Sequence, residues 1–332
     1  MKAYRLTVGG GLDGIRMEDA PDPAPARGEV VMRVRATSLN YRDLMLARAS
    51  RDAVVPLSDG AGEIVAVGDA VHGLAAGDRV SSCFFPYWQD GDVQPAYTRE
   101  ALGGGQCDGM LREFVTLPAN AVVKLPEHMS FDEGATLPCA ALTAWNGMFE
   151  QARLKPGESV LLLGTGGVSI IGLQLARIAG VRAIITSSSD DKLARARELG
   201  ADATVNYREQ ADWDRAVLDL TDGRGVDLTL EVGGAGTFAR SMNATRVGGH
   251  VVLIGGLSGA PGEGSGVPLV GRNIRATRIY VGSRRMFEEM NRALAQGEVH
   301  PVIDCSFAFG EAVEAYRYLE SQQHVGKIVI RV

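Results

Sequence analysis

Residues 160–176 read VLLLGTGGVSIIGLQLA, and this stretch decides the fold. The apolar run Val160–Leu163 has the length and composition of a buried strand. The turn Gly164-Thr165-Gly166-Gly167 follows, and an apolar helix is expected from Val168 to Ala179. A membrane span needs about 20 apolar residues, so this glycine-interrupted stretch is too short to be one. The sequence therefore predicts a strand, a tight turn and a helix.

That turn indicates a dinucleotide site. Glycines let the backbone approach a pyrophosphate, and the helix N-terminus presents free N–H groups and a partial positive charge. The motif departs from the plain G-x-G-x-x-G form, because Ser169 or Ile170 stands at the third glycine. An ordinary structural turn is the alternative, and the strand–turn–helix context favours the dinucleotide. The residues expected to hold the cofactor here are Gly164, Thr165, Gly166, Gly167 and Val168.

The next strand, Ala183–Thr186, ends in a run of hydroxyl side chains. NAD-binding proteins usually place an acidic residue near this point to bind the ribose 2′-hydroxyl. Here the acids come late, and Asp190 is well placed to cap the following helix. The hydroxyls, with Lys192 and Arg195 close behind, suit a 2′-phosphate, so NADPH is favoured over NADH. An ordinary capped turn before a solvated helix face is the alternative; the proposed phosphate contacts are Ser187, Ser188, Ser189 and Lys192.

Strands and helices continue to alternate after this point. A charged helix is predicted from Asp190 to Leu199, and strands at Val226–Val232 and His250–Ile254. This alternation predicts an α/β fold with a doubly wound parallel sheet, whose ligands bind beyond the carboxyl ends of the strands. Val232, Ile254 and Gly255 end the later strands and are expected to border the cofactor.

The first 120 or so residues have a different pattern. Short runs such as Glu29–Ala36 alternate between apolar and polar residues and are separated by glycines, which is typical of a small antiparallel barrel. The irregular stretch Phe84–Gly109 is either an aromatic plug that packs on the barrel or a lid over an apolar pocket. Ser130 and Glu133 form a capping box that opens the later, helical part of the chain.

Composition restricts the function classes. Lys and Arg number 34 against 40 Asp and Glu, and the net charge of −6 excludes a protein that binds nucleic acid or anionic membranes by bulk charge. The 4 cysteines are too scattered for a disulfide framework, and the N-terminus lacks the apolar core of a signal peptide. The 5 histidines belong to no evident hydrolytic set. A cytoplasmic protein is therefore expected.

Several motifs together resemble the medium-chain dehydrogenase/reductase superfamily, and in particular its zinc-independent, quinone-oxidoreductase-like branch. They are GTGGVSIIGLQLAR, SSSDDKLARARELGADATVNY, GRGVDLTLEVGG, ATLPCAALTAWN, SLNYRDLM and the closing HVGKIVI. The resemblance implies a GroES-like β-barrel domain at 1–125, completed by 280–332. It also implies a Rossmann NADP-binding domain at 126–279, with the catalytic cleft between the two domains.

The resemblance also bears on metal content. The catalytic zinc ligands of zinc alcohol dehydrogenases fall on Asn40, on Ser58-Asp59 and on Cys139. One soft ligand cannot hold a tetrahedral zinc ion, and the Cys83–Cys107 region lacks the four clustered cysteines of a structural zinc lobe. No zinc is expected. Without a metal, a conjugated carbonyl is the easier substrate, because hydrogen-bond donors can stabilise the enolate that forms.

Relatives place particular residues near the reaction. Asn40 and Tyr41 correspond to positions beside the nicotinamide, and Thr143 resembles a threonine on the nicotinamide side. The alternatives are a turn residue at Asn40 and a packed aromatic, with its hydroxyl in solvent, at Tyr41. Further cofactor contacts implied by the resemblance are Tyr207, Val281, Gly282, Ser283 and Lys327. Tyr207 could instead pack at a strand end, and a lysine that opens a final strand is more often solvated.

The sequence thus predicts a zinc-independent, NADPH-dependent oxidoreductase that transfers hydride to an α,β-unsaturated carbonyl or a quinone-like substrate. One alternative is an NAD(P)-dependent alcohol dehydrogenase or ketone reductase, and a second is an NADPH-binding sensor with little turnover. The small substrate itself, and whether C=C or C=O is reduced, stay open. The resemblance further implies a homodimer paired through the edge of the Rossmann sheet, with Ala276–Val281 as the candidate strand.

Overall fold

The structure is a computed structural model that describes residues 1–49, 53–105, 107–256 and 272–332. The chain divides into two compact units. The first comprises Met1–Leu142 and Val281–Val332, and the second comprises Thr143–Tyr280. The chain therefore leaves the first unit once and returns to it. Residues 126–142 lie in the first unit, whereas the sequence assigned them to the second domain.

Antiparallel strands dominate the first unit. The alternation predicted from the sequence is visible from Met32 to Ala36, where buried apolar residues alternate with exposed arginines. The strands of its first segment are β1 (Lys2–Leu6), β2 (Ile15–Asp19), β3 (Glu29–Ser38), β4 (Asp59–Val67), β5 (Arg79–Ser82), β6 (Phe114–Pro118) and β7 (Val122–Lys124), and its helices are α1 (Tyr41–Arg48), α2 (Pro95–Arg99) and α3 (Phe131–Gly134).

The second unit alternates strands and helices. Its strands β8 (Ser159–Leu163) and β11 (Val226–Glu231) are buried along their whole length, as expected for central strands of a sheet that helices cover on both faces. In chain order its elements are α4 (Leu142–Trp145), β8 (Ser159–Leu163), α5 (Gly167–Ile178), β9 (Arg182–Ser187), α6 (Asp190–Glu198), β10 (Ala203–Asn206), α7 (Trp213–Asp219), β11 (Val226–Glu231), α8 (Phe238–Ala244), β12 (Thr245–Leu253) and β13 (Arg275–Arg278).

These strands form one parallel sheet in the order β10-β9-β8-β11-β12-β13. Counted within the unit, this is the doubly wound order, in which the chain starts at the centre and builds each half in turn. The order reverses between β8 and β11. Ligands of such sheets bind at the carboxyl ends of the strands beside that reversal, so the turn after β8 lies where a ligand is expected. The predicted Rossmann sheet is confirmed.

The last part of the chain returns to the first unit. It consists of α9 (Arg284–Gln296), β14 (Ile303–Ala308), α10 (Ala312–Ser321) and β15 (Lys327–Arg331). β15 pairs antiparallel with β3, so that Val329 lies opposite Ser38, and parallel with β14. The sheet order is β14-β15-β3-β4-β5-β7, with β6 also paired to β3. This pairing carries the first residue of β15, Lys327, to the carboxyl end of β3.

Two local predictions in the first unit can be compared with the structure. The capping box is confirmed, because Ser130 Oγ accepts from Glu133 N at 3.2 Å and Ser130 N donates to Glu133 Oε2 at 2.7 Å. In the irregular stretch, the buried Phe85 ring contacts the buried rings of Phe84 and Trp88, which agrees with the aromatic plug. None of the helices in the described part of the chain has the length and hydropathy needed to span a bilayer.

Candidate functional site

The turn between β8 and α5 presents open backbone. Gly164 has a φ of 73°, a conformation that favours glycine, and a Cβ placed on Gly164 or Gly166 would meet nothing within 4 Å. The first helical hydrogen bond joins Ile170 N to Gly166 O, so the preceding N–H groups of α5 lack intrahelical partners. Ser169 Oγ donates to Leu163 O at 2.6 Å, which anchors the helix to the strand. This geometry fits a dinucleotide pyrophosphate on the helix N-terminus.

The other residues predicted in this turn have different exposures. Thr165 is buried, whereas Val168, in the first turn of α5, is half-buried. Gly167 is the first residue of the helix, and its backbone N–H is among those without an intrahelical partner. The backbone of the turn, more than its side chains, therefore makes up the open surface.

The residues predicted to hold the 2′-phosphate lie together at the ends of β9 and β10. Ser187 ends β9, and Tyr207 N donates to Ser187 O at 3.0 Å. The backbone of Tyr207 therefore lies next to the serine run. Ser188, Ser189 and Lys192 are half-buried, and Tyr207 is 41% exposed. Hydroxyl, ammonium and phenol groups therefore share one edge of the sheet.

One prediction in this region is wrong. The N-cap of α6 is Ser189, and Asp190 is the first residue of the helix. Asp190 Oδ1 instead accepts from Asn206 Nδ2 at 2.8 Å, which joins α6 to the end of β10. The acid predicted to cap α6 therefore connects two elements.

A buried glutamate that the sequence did not single out shapes the end of β11. Glu231 is fully buried, and its Oε1 accepts from Gly233 N at 2.7 Å, Gly234 N at 2.9 Å and Thr237 Oγ1 at 2.7 Å. Its Oε2 accepts from Ser241 Oγ. Hydrogen bonds from several neutral donors allow a carboxylate to stay buried. Glu231 therefore fixes the loop between β11 and α8 at the carboxyl edge of the sheet.

The predicted residues at the next strand ends are held by backbone packing. A Cβ on Gly255 would lie 2.6 Å from Val232 O, so glycine is required where the ends of β11 and β12 approach each other. Val232 packs against the apolar core, and Ile254 N donates to Glu231 O at 2.9 Å. These residues border the sheet edge as predicted, and contact with a cofactor stays a prediction.

The segment 281–283 has structural roles within the first unit. Ser283 is the N-cap of α9, and its Oγ accepts from Met286 N at 3.3 Å. A Cβ on Gly282 would lie 2.8 Å from the Leu142 side chain, and Val281 is buried. Helix capping and close packing therefore explain Gly282 and Ser283 without a ligand, and their predicted contact with the cofactor stays a prediction.

Thr143 lies in α4 and opens the second unit. Its side chain is 4% exposed. The predicted role on the nicotinamide side stays a prediction.

A cluster of polar side chains lies where β3, β4 and β15 meet in the first unit. Lys327 Nζ donates to Leu39 O and to Asn40 Oδ1, both at 2.6 Å, and lies 3.7 Å from Asp59 Oδ2. Lys327 is 5% exposed, so the interpretation of a solvated lysine is wrong. The ammonium is directed towards Leu39 and Asn40. Its predicted contact with the cofactor stays a prediction.

Asn40 and Tyr41 stand at the start of α1. Asn40 N donates to Asp43 Oδ2 at 2.7 Å, while Asn40 Nδ2 is buried and has no hydrogen-bond partner among the described residues. The Tyr41 ring is partly buried and packs against the apolar core, which agrees with the packed aromatic. Burial raises the pKa of Asp43 to about 6, although Arg42 acts in the opposite direction.

The four positions that align with zinc ligands meet in this cluster. Ser58 Oγ donates to Asp59 Oδ1 at 2.7 Å, and Cys139 N donates to Asp59 Oδ2 at 3.2 Å. Their donor set does not fit zinc, since it offers one thiol and one carboxylate, and the Lys327 ammonium already faces that carboxylate. Within the described ranges, no three His, Cys, Asp or Glu side chains form a group that could hold a metal ion.

A separate cavity of about 640 Å³ lies between β7 and α9 in the first unit. Lys124, Arg284 and Asn291 line it, and the cluster around Lys327 does not. No sequence pattern indicates this cavity, because its lining residues come from distant parts of the chain.

Two family models match the chain. One, described as an alcohol dehydrogenase GroES-like domain, matches residues 26–127. The other, described as a zinc-binding dehydrogenase, matches residues 167–296. The predicted GroES-like fold of the N-terminal part is thereby confirmed.

Individual proteins match over nearly the whole chain. A zinc-type alcohol dehydrogenase-like protein of Schizosaccharomyces pombe is 40% identical over 97% of this chain and 96% of its own length. A 2-methylene-furan-3-one reductase of Solanum lycopersicum is 32% identical over 99% of this chain and 79% of its own length.

Solved structures agree with this. An NAD-dependent alcohol dehydrogenase has a TM-score of 0.90 at 31% identity, covering 100% of both chains. A mycobacterial protein solved in complex with NADPH has a TM-score of 0.83 at 26% identity, also covering 100% of both chains.

A doubly wound sheet with an open glycine turn, in one chain with a GroES-like unit, defines a dinucleotide-binding oxidoreductase fold. The chain belongs to the medium-chain dehydrogenase/reductase superfamily, as predicted, and it is an oxidoreductase of that superfamily.

Proposed function

We propose that this protein is a zinc-independent, NADPH-dependent oxidoreductase that reduces the conjugated C=C bond of an enone, enal or quinone-like substrate. One observation carries the proposal. At the positions where zinc-dependent relatives bind their metal, this chain places the buried ammonium of Lys327 between Asn40 and Asp59. A carbonyl substrate must then be activated by hydrogen-bond donors, which suits a conjugated acceptor.

The second unit offers the cofactor-binding groups. The open backbone of Gly164 and Gly166 and the N-terminus of α5 fit the pyrophosphate. The serine run and Lys192 at the end of β9 fit a 2′-phosphate, which favours NADPH over NADH. The mycobacterial structure solved with NADPH supports this choice. When bound, the reduced nicotinamide supplies the hydride and is itself oxidised.

The first unit offers the group that faces the substrate oxygen. As the β-carbon accepts hydride, the π electrons move onto the carbonyl oxygen and form an enolate, and a proton from water then adds to the α-carbon. Asn40 Nδ2 is buried and without a described partner, so it can donate to that oxygen as charge develops. A single donor of this kind accelerates acyl-transfer enzymes by roughly 10²–10³.

Reduction of an unconjugated carbonyl is the second candidate, because the solved NAD-dependent alcohol dehydrogenase shares this fold at 31% identity. The two candidates differ in where hydride goes. In a saturated ketone all of the developing charge stays on one oxygen, which a metal stabilises better than one amide. The 32% identity to a 2-methylene-furan-3-one reductase supports the conjugated substrate.

The test is NADPH oxidation by the purified protein with matched substrate pairs, each enone beside the saturated ketone of the same carbon skeleton. Turnover of the enones alone, in protein whose metal analysis shows no stoichiometric zinc, is the expected result. Equal turnover of saturated ketones would indicate a carbonyl reductase. Binding of NADPH without turnover of any pair would indicate a sensor, and about one zinc per chain would refute the metal-free site.

A further inference from the structure

The orientation of the Asn40 amide is set inside the first unit, and its role in the reaction rests on the proposed function. Lys327 begins β15, and Asn40 directly precedes α1. The two residues are 287 positions apart in sequence, and the pairing of β15 with β3 brings them together. Two short hydrogen bonds, to Leu39 O and to Asn40 Oδ1, fix the Lys327 ammonium inside the unit.

This contact decides which end of the amide faces Lys327 and which end points away from it. An ammonium group only donates, so the atom that faces Lys327 must be the amide oxygen of Asn40. The amide nitrogen therefore points away from the lysine, where Nδ2 is buried and lacks a partner among the described residues. Buried donors are nearly always paired in native proteins, so an orphaned donor calls for a ligand or an ordered water.

The charge also changes the strength of this donor. An amide whose oxygen accepts from a cation is polarised, and its N–H groups become better donors, because linked hydrogen bonds reinforce one another. Only the side-chain amide of Asn40 would separate the positive charge of Lys327 from the substrate oxygen to which Nδ2 donates. Lys327 thus contributes to the electrostatics of the site without touching the substrate.

Asp59 keeps the lysine in place. Its Oδ2 lies 3.7 Å from Lys327 Nζ, and both of its oxygens accept further hydrogen bonds, from Ser58 Oγ and from Cys139 N. Asp59 is fully buried, so a nearby cation is needed to offset the cost of burying its charge. The pair therefore forms one fixed support beneath Asn40.

We infer that Lys327, supported by Asp59, is a positioning residue that fixes and polarises the Asn40 amide so that Nδ2 donates to the carbonyl oxygen of the substrate. This role differs from a contact between Lys327 and the cofactor. A cofactor contact would act on NADPH affinity, whereas the positioning role acts on the rate of reduction.

The test compares Lys327→Met, Asn40→Ala and the double variant with the wild type. Each single substitution should lower kcat for an enone by roughly tenfold to a hundredfold, with the dissociation constant of NADPH, measured by fluorescence, unchanged. The double variant should be no slower than the slower single variant, because both substitutions remove the same interaction. Lys327→Arg should retain part of the rate, and Lys124→Met, at an exposed lysine, serves as the control.

Loss of folding is checked separately, because Lys327→Met leaves the Asp59 carboxylate buried without its cation. Lys327→Met combined with Asp59→Asn removes both charges and should fold, with the same low kcat as Lys327→Met alone. If the rate losses of Asn40→Ala and Lys327→Met multiplied in the double variant, the two residues would act independently and the positioning role would be refuted. Weaker NADPH binding with normal kcat at saturation would also refute it, because that result would indicate a cofactor contact.

If the wild type reduces neither the enones nor the saturated ketones, the proposed function fails, and the orientation of the amide is read by NMR. Protein labelled with nitrogen-15 asparagine gives side-chain amide signals, and that of Asn40 is assigned by its absence in Asn40→Ala. Its protons should exchange slowly with water in the wild type and faster in Lys327→Met. Equal exchange in both proteins would overturn the positioning role independently of any activity.

Discussion

Lys192 carries the proposed preference for NADPH. It is half-buried in the first turn of α6, directly after the serine run that ends β9. A hydrogen bond between charged groups contributes about 1.5–3 kcal/mol, so Lys192→Ala should lower kcat/KM with NADPH by roughly tenfold or more. The kcat/KM with NADH should stay nearly the same, because NADH has no 2′-phosphate. Steady-state kinetics with both cofactors gives the ratio.

Arg195, which the sequence groups with Lys192 near the 2′-phosphate, provides the control for that experiment, because in the structure its guanidinium pairs with Glu198. It lies one turn further along α6, and the pair, at 2.7 Å, is on an exposed face. Arg195→Ala should leave the ratio of the two cofactor efficiencies nearly unchanged. An equal loss in both variants would point to the general positive charge of the helix, and an unchanged ratio in Lys192→Ala would refute the assignment.

The glycines show which single-residue roles can be predicted from local sequence and which cannot. The glycines at 164 and 166 were recognised because a strand and a helix flank them, and the structure gives them open backbone. The same ligand-facing role is predicted for Gly255 and Gly282, where packing against Val232 and Leu142 by itself calls for glycine, so their contact with the cofactor stays a prediction. What a glycine is required for depends on neighbours that are distant in sequence. For the same reason the contact between Lys327 and Asn40 could not be predicted.

At the scale of elements, short-range signals were sufficient. Val160–Leu163 became β8, and the helix after the glycine turn begins one residue earlier than predicted. The Asp190 prediction failed because Ser189 is equally suited to the N-cap, and the contact with Asn206 across two elements is invisible to a local pattern. Glu231 was missed for a related reason, since a single acid at a strand end has no motif.

His250, in the middle of β12, makes the sheet sensitive to acid. It is 4% exposed, Thr277 Oγ1 lies 3.0 Å from its Nε2, and Arg275 on β13 lies opposite. Burial, and then the charge of Arg275, lowers the pKa of His250 to about 4. The unfolded chain takes up this proton near pH 6.5 and the folded chain does so only near pH 4. The stability of the fold should therefore decrease as the pH falls through that window.

Denaturant unfolding of the wild type and of His250→Asn at pH 7 and pH 5 measures this effect. The wild type should lose on the order of 1–2 kcal/mol more than the variant between the two values. Asp43, whose raised pKa shifts stability in the opposite direction, is present in both proteins, so the difference isolates His250. Equal losses in both proteins would show that His250 does not titrate in this window.

At the scale of the whole molecule, two architectures share one chain. The parallel sheet was predictable because its strands and helices alternate along the sequence. The first unit depends on the pairing of β15 with β3, although the whole second unit lies between these two strands in the sequence. No local pattern specifies that pairing, and only the resemblance to a family indicated it. Residues 126–142 group with the first unit, although their helical pattern resembles that of the second, and the predicted domain boundaries stay a prediction.

The predicted homodimer depends on the free edge of the parallel sheet. Among the described residues β13 pairs with β12 alone, and it ends at Arg278, earlier than the predicted strand. An edge strand offers unpaired backbone groups to a second copy of the chain. Ile279 N donates inward to Leu253 O, and because strand N–H groups alternate in direction, those of Ala276 and Arg278 face outward.

A proline at an outward position tests this edge. Ala276→Pro removes an N–H that β12 does not use, so the unit should still fold, while pairing with a second copy is blocked. Light scattering after gel filtration should show a dimer for the wild type and a monomer for Ala276→Pro, with similar thermal unfolding of NADPH-free protein. Thr277→Pro removes an inward N–H and should destabilise the sheet itself. A monomeric wild type, or a dimer that Ala276→Pro leaves intact, would place the interface elsewhere or refute it.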